Sequence, residues 1–429
     1  MEIQPLAKTQ TSSIKQDQLQ ALSTYTKKDV ENRVVLLRLD LNIPMKNDLV
    51  LDESRIHAAL PTLKDLIKKK AKIIILSHFG RPKLDSSPDS SKDHSSISSL
   101  SLKPIASLLA SNLDHDVTFC DACIGDTAQN AIGALKPSEI LLLENLRFEA
   151  GETSNDSKFA KALAELGDVY INDAFAVSHR SHASITGIPK HLPSYAGLRL
   201  RDEIHMLSEC MTVKSHPIMS IVGGSKISTK LDLLKNLIPH SRFLVVGGGI
   251  ANTLLKAKGH SVGHSLVEEA FLDQAKELLS YAKTNRCELI LPIDVRVSRD
   301  LDPQSEVHAV LVNDINPSES IFDLGPKTIE KICSSMEKAK TLIWNGPVGL
   351  FEHKPFDRGS NQIAQCAAYL STHGRLKSLA GGGETVALIK SAHAGDDFSY
   401  LSTGGGAFLD FLTAGTLPGL TPLYTSKES

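Results

Sequence analysis

Three arginines and a histidine stand just past short apolar runs: His78 and Arg81 after residues 72–77, Arg147 after 140–143, and Arg180 after 169–171. A guanidinium is a planar fork that grips phosphate or carboxylate with two hydrogen bonds, so several on one rim suit a small phosphorylated acid. A single arginine past a strand is ordinarily a surface residue, whereas gathering several without an anion is costly. Asp40 and Asn42 close the apolar run 34–42 and belong to the same rim; Arg38 and Asp40 read as a structural charged pair. The second half of the chain carries a different chemistry. Residues 218–230 give an apolar run, then Gly223-Gly224, then a segment read as helix with Lys226 and Lys230 four apart on one face. Glycine lets backbone approach a ligand closely, and the free N–H groups of a helix start attract anions. Gly247-Gly248-Gly249, Gly381-Gly382-Gly383 and Gly404-Gly405-Gly406 follow the same plan, and such junctions make a rim of donors suited to a polyphosphate. None has the spacing of a Walker A loop or of Gly-x-Gly-x-x-Gly.

The elements that must position these groups are legible as an alternation. Apolar strand runs at 34–42, 72–77, 117–120, 140–143 and 169–171 are separated by helical segments, the first of them beginning at Arg55. Runs at 218–222, 243–246, 288–292, 341–344 and 377–380 repeat the pattern. Alternation of this kind means a parallel sheet with helices on both faces, whose ligands bind beyond the carboxyl ends of the strands. The fold class is therefore α/β: two doubly wound, Rossmann-like domains joined by a hinge helix over 201–211, in which Ile204, Leu207 and Met211 share a side. The expected division is 1–198, with 1–18 a loose extension, then 199–415, then a tail 416–429 returning towards the first domain. Residues 85–101 are serine-rich and read as a mobile surface insertion.

The 429 residues are 41% hydrophobic with a net charge of -2, which offers no field for nucleic acid or a membrane surface. No apolar run has membrane length, and six cysteines in so long a chain suggest reduced thiols in a cytoplasmic protein. Cys120 and Cys123 form a Cys-x-x-Cys that no second pair completes into a zinc site.

Taken in order, the motifs resemble those of the phosphoglycerate kinase family. They are residues 38–44, Arg-Leu-Asp-Leu-Asn-Ile-Pro; 77–82, Ser-His-Phe-Gly-Arg-Pro; 144–148, Glu-Asn-Leu-Arg-Phe; and 172–175 with His179-Arg180. The series continues with 223–230, with 344–352, Trp-Asn-Gly-Pro-Val-Gly-Leu-Phe-Glu, and with 402–407. The resemblance implies phosphoryl transfer between 1,3-bisphosphoglycerate and ADP, in line, in a cleft closed by hinge bending. It places Asp40, Leu41, Asn42, Arg55, His78, Phe79, Gly80, Arg81, Arg147 and Arg180 on the glycerate. Lys226, Lys230, Asn345, Pro347, Glu352, Gly382, Gly383, Glu384 and Thr385 fall to the nucleotide. Arg55, Lys230, Gly383 and Gly406 take the catalytic roles, and Glu384 holds Mg²⁺ with ADP or ATP in a monomeric enzyme. Glu384 stands where the family usually has aspartate. A dinucleotide oxidoreductase lacks its fingerprint here, and an inactive binding relative would be expected to have lost Arg55, Lys226 or Lys230.

Overall fold

In a computed structural model of the chain, residues 22–46, 49–82, 99–210, 215–302, 304–402 and 404–424 are described. The extension 1–18 and the insertion up to residue 98 lie outside them. The chain forms two compact units, Met1–Ser208 with Ala414–Ser429, and Glu209–Thr413.

Unit 1 holds strands β1 (Val34–Arg38), β2 (Met45–Lys46), β3 (Leu49–Val50), β4 (Lys72–Leu76), β5 (Val117–Cys120), β6 (Ile140–Leu143), β7 (Val169–Asn172) and β8 (Ser194–Ala196). Six of them make one parallel sheet in the order β5-β6-β4-β1-β7-β8. The sequence of β4, Lys-Ile-Ile-Ile-Leu, shows why: a β-branched run apolar on both faces fits a strand covered on both sides. Side chains alternate between two cores. Val35 and Leu37 pack against helices α1 (Ser54–Lys68) and α2 (Lys103–Leu113). Leu36 packs against α3 (Gly125–Gly133) and α4 (Ser157–Ala164) on the other face. Helix α5 (Leu198–Cys210) buries Ile204 and Leu207 and carries the chain across the boundary between units. Residues 414–424 belong to unit 1, where Gly419 N–H donates to the Ser178 carbonyl at 2.8 Å.

Unit 2 holds β9 (Ile218–Val222), β10 (Phe243–Val246), β11 (Glu288–Ile290), β12 (Asp294–Ser298), β13 (His308–Leu311), β14 (Ser320–Leu324), β15 (Thr341–Asn345), β16 (Lys377–Gly381) and β17 (Tyr400–Ser402). Its parallel sheet runs β11-β10-β9-β15-β16-β17. Helices α6 (Leu231–Leu237), α7 (Gly248–Ala257) and α8 (Leu272–Thr284) cover one face. The other is covered by α9 (Pro326–Met336), α10 (Arg358–Thr372) and α11 (Gly383–Ser391). Helix α12 (Gly405–Ala414) closes the unit, with Phe408 and Phe411 fully buried.

The structure corrects several expectations. β1 ends at Arg38, so Asp40 and Asn42 lie on irregular chain past the strand instead of within it. No helix follows Gly223-Gly224: a bent loop and turn occupy 225–230, α6 begins at Leu231, and Lys226 and Lys230 do not share a helix face. The other three glycine clusters do open helices α7, α11 and α12. A three-stranded antiparallel sheet, β13-β12-β14, was not foreseen: its edge strand β13 holds only the short apolar run Ala309-Val310-Leu311 and alternates half-buried and exposed positions. The end of the serine-rich insertion is anchored, with Ser101 Oγ donating to Glu144 Oε2 at 2.7 Å.

Candidate active site

On unit 1 the segment after β1 is knitted to the neighbouring strand ends. Leu41 N–H donates to Ser77 Oγ at 3.0 Å, and Asn42 Oδ1 accepts from Gly80 N–H at 2.8 Å. Asn145, past β6, accepts at Oδ1 from the N–H groups of Phe79 and Arg147, both at 3.1 Å. The side chains of Leu41 and Phe79 are buried in the core, which leaves their backbone to the rim. Arg55, in the first turn of α1, reaches Asp40 at 2.9 Å and the Asn42 carbonyl at 2.8 Å. Two residues assigned to one substrate therefore hold each other.

Arg38 is fully buried, and it does not pair with Asp40 as its spacing suggested. Its Nε donates to Ser184 Oγ at 2.9 Å, Nη1 donates to the Leu39 carbonyl, and Nη2 lies 3.2 Å from His78 Nδ1. Because a guanidinium only donates, His78 Nδ1 must accept, which leaves the ring proton on Nε2. Burial, and then the charges of Arg38, Arg147, Arg55 and Arg180, hold His78 well below the usual imidazole range. It is a neutral donor. Ser184 is anchored in turn by buried Glu152, whose carboxylate accepts from Ser184 N at 2.9 Å and Oγ at 2.6 Å. Burial pushes Glu152 up, but bonds from His182 and Ser184 and the charge of Arg38 outweigh it and keep the carboxylate ionised.

Arg81, Arg147 and Arg180 meet around one hollow, lined also by Pro82, Thr153 and His182. Arg147 donates to the Gly80 carbonyl, and burial with the nearby Arg180, Arg38 and Arg81 brings its pKa down to about 10. Burial is the main cause of that shift, and the crowding of like charges adds to it. An anion would relieve it. Arg38, Glu152, Thr153, His182 and Ser184 were not assigned from sequence. Glu152 carries no local signal, since it meets Ser184 from 32 positions away.

On unit 2 the turns past β9 and β15 press backbone to backbone. A Cβ on Gly223 would lie 1.8 Å from the Pro347 carbonyl oxygen, so only glycine fits there. Gly382, with φ of 105°, takes a left-handed conformation that favours glycine and precedes α11. Asn345 ties these turns together. Its Oδ1 accepts from Lys230 Nζ, its Nδ2 donates to the Gly381 carbonyl at 2.5 Å, and its carbonyl accepts from Gly223 N at 2.9 Å. Gly346 N–H donates to the buried Thr385 Oγ1 at 2.7 Å. Burial depresses the Lys230 ammonium, and the nearby Glu384 carboxylate partly restores it. Lys226, Glu352, Gly383, Glu384 and Gly406 are exposed, and Pro347 is half-buried. Among the described residues no cluster of three or more His, Cys, Asp or Glu side chains forms a metal site.

One sheet edge gathers guanidinium groups, and the other gathers glycine turns, helix starts and a desolvated lysine. A chain built this way is an α/β enzyme that handles phosphoryl groups. The sequence matches the phosphoglycerate kinase family over residues 25–415. Phosphoglycerate kinase of Methylorubrum extorquens PA1 is 45% identical over 394 residues, spanning 92% of this chain and 96% of the relative. That of Rhizobium meliloti 1021 is 45% identical over 395 residues, with the same coverage of 92% and 96%. The solved phosphoglycerate kinase of Coxiella burnetii superposes with a TM-score of 0.81 at 38% identity, covering 92% of this chain and 97% of that one. That of Pyrococcus horikoshii gives 0.73 at 30% identity, covering 92% and 96%. The chain belongs to the phosphoglycerate kinase family, and it is a phosphotransferase.

Proposed function

We propose that unit 1 receives the phosphoglycerate and unit 2 the adenine nucleotide, so that a phosphoryl group passes between 1,3-bisphosphoglycerate and ADP, giving 3-phosphoglycerate and ATP. The observation that carries this reading is the arginine-lined hollow on a sheet edge separate from the glycine-lined one. Arg81, Arg147 and Arg180 take the substrate phosphate, with neutral His78 offering its Nε2 proton and Asp40 and Asn42 fixing the rest of the glycerate. Lys226 and the helix start at Gly382, Gly383 and Thr385 take the nucleotide phosphates, while Asn345, Pro347 and Glu352 line the remainder of its site.

Phosphoryl transfer asks the protein for in-line placement and for charge opposite the developing oxyanions. Arg55 and Lys230 supply that charge, and the N–H groups near Gly383 and Gly406 add to it. Half-buried Lys230 is the better suited for being partly desolvated, since its field is less screened. Arg55 must share or release Asp40 to act. Magnesium fits a site with one carboxylate, because it keeps several waters and leans on substrate phosphates. Glu384, exposed in the first turn of α11 and close enough to influence Lys230, is the residue that would hold it. When bound, the ion neutralises nucleotide phosphate charge. Cytosolic residence, which the free thiols of Cys120, Cys123, Cys287, Cys333 and Cys366 support, and a monomeric state belong to the same reading.

Calorimetric titration tests the division of labour. Arg180→Ala should weaken 3-phosphoglycerate binding about tenfold or more and leave ADP binding unchanged, with Lys226→Ala doing the reverse. Equal losses of both ligands in either variant would contradict it.

A further inference from the structure

Lys226 and Lys230 stand on residues 225–230, which have no helix to hold them, so something outside the segment must fix its backbone. Glu268 does so. Its Oε2 accepts from Ser228 N–H at 2.8 Å and its Oε1 accepts from Ser228 Oγ at 2.7 Å. Thr229 Oγ1 closes the turn on the Lys226 carbonyl at 2.9 Å.

Glu268 is itself pinned. Its N–H donates to Thr253 Oγ1 at 3.2 Å, and that hydroxyl, fully buried, donates to the Gly249 carbonyl at 2.8 Å. The Leu266 carbonyl, two residues earlier, accepts from Asn252 Nδ2 at 3.3 Å. One chain of bonds thus runs from the glycine-rich start of α7 through Thr253, Glu268 and Ser228 to the turn that carries Lys226 and Lys230.

We infer that Glu268 is a positioning residue for phosphoryl transfer, clamping the lysine turn against α7 so that both ammonium groups meet the nucleotide phosphates. The inference rests on the reading of Lys226 and Lys230 as phosphate contacts. A lysine has a flexible four-carbon stem, so its placement is only as good as the backbone beneath it. A misplacement of about 1 Å at such a site costs on the order of 10²-fold in rate. The clamp works by reach: glutamine can replace glutamate, its Oε1 accepting from Ser228 N–H and its amide donating to Ser228 Oγ. Aspartate keeps the charge but falls one methylene short.

Steady-state kinetics of the full chain decide it. Glu268→Asp should lose about tenfold in kcat with an unchanged KM for 3-phosphoglycerate, while Glu268→Gln stays within about twofold of the parent. In a Lys230→Ala background Glu268→Asp should cost less than in the parent, because the part of its effect that passes through Lys230 is already lost. A folded Glu268→Asp with parental kcat, or a loss confined to melting temperature, overturns the clamp. So does a Gln variant impaired more than the Asp variant, which would make the role electrostatic. Intact turnover in Lys230→Ala alone overturns the lysine reading and the purpose of the clamp together. An impaired Lys230→Ala beside an unimpaired Glu268→Asp overturns the clamp alone.

Discussion

Glu384 shows how much depends on a single side chain. It stands exposed in the first turn of α11, close enough for its charge to act on Lys230. A first-turn glutamate is favoured by the helix dipole without any ligand, so the charge alone does not assign it to a metal. The variants separate the two roles. Glu384→Asp should remain active, while Glu384→Gln should raise the Mg²⁺ concentration for half-maximal rate by roughly tenfold. An unchanged magnesium dependence would leave Glu384 a helix-start residue. At this scale the sequence shows which residue types gather at the rims, but it does not show their partners. Arg38 reads as the mate of Asp40 two positions on, yet its Nε meets Ser184, 146 positions away, because the inward turn of a strand side chain depends on what covers the sheet. His78 is legible as a rim residue; that it is neutral follows only from five groups brought together by the fold.

Among the elements, β14 and α10 are joined by an acid whose titration can be followed. Asp323, on β14, is 1% exposed; its Oδ2 accepts from Gly359 N–H in the first turn of α10 at 2.8 Å. Gly349, in the loop read as lining the nucleotide, and Gly359 both crowd its other oxygen, where a Cβ would come within 2.2 and 2.3 Å. Burial pushes its pKa up to about 7; the bonds from Gly359 and Leu324 and the charge of Arg296 oppose this, and Asp357 adds to it. An ordinary aspartate in the unfolded chain titrates near ~3.9. Between those values the folded state binds more protons, so the stability from this group is complete below about pH 4 and is lost as pH rises through about 7. Denaturant unfolding should show the parent gaining roughly 2 kcal/mol relative to Asp323→Asn at pH 5 compared with pH 8. A difference that stays flat or grows with pH would place the group elsewhere. Strand existence was legible at this scale wherever a fully buried apolar run marks it, as in β4 and β6. The ends were not. β1 stops at Arg38, and the segment after Gly223-Gly224 stays a turn, because Glu268 and the neighbouring turns hold it out of helix. The short strands β8 and β17 have three residues each and no periodicity to read.

The whole molecule divides its chemistry between two sheets. In each, the strands are parallel, the cores lie on both faces, and the polar groups are gathered past the carboxyl ends. Past the strand ends, arginines gather in one unit, and glycine turns with Lys226 and Lys230 in the other, as the order of motifs along the chain already implied. Arg55 from the first unit and Lys230 from the second are proposed to act on the same transferred group. Both are bound to neighbouring groups in the structure, Arg55 to Asp40 and Lys230 to Asn345, so their work in transfer has to be measured. The direct measurement is steady-state ATP-dependent phosphorylation of 3-phosphoglycerate by the parent, Arg55→Ala and Lys230→Ala. Each variant should lose about 10²-fold or more in kcat while its KM values change by only a few-fold, because charge opposite the transferred group is needed most in the transition state. A near-parental kcat in either variant would contradict the account.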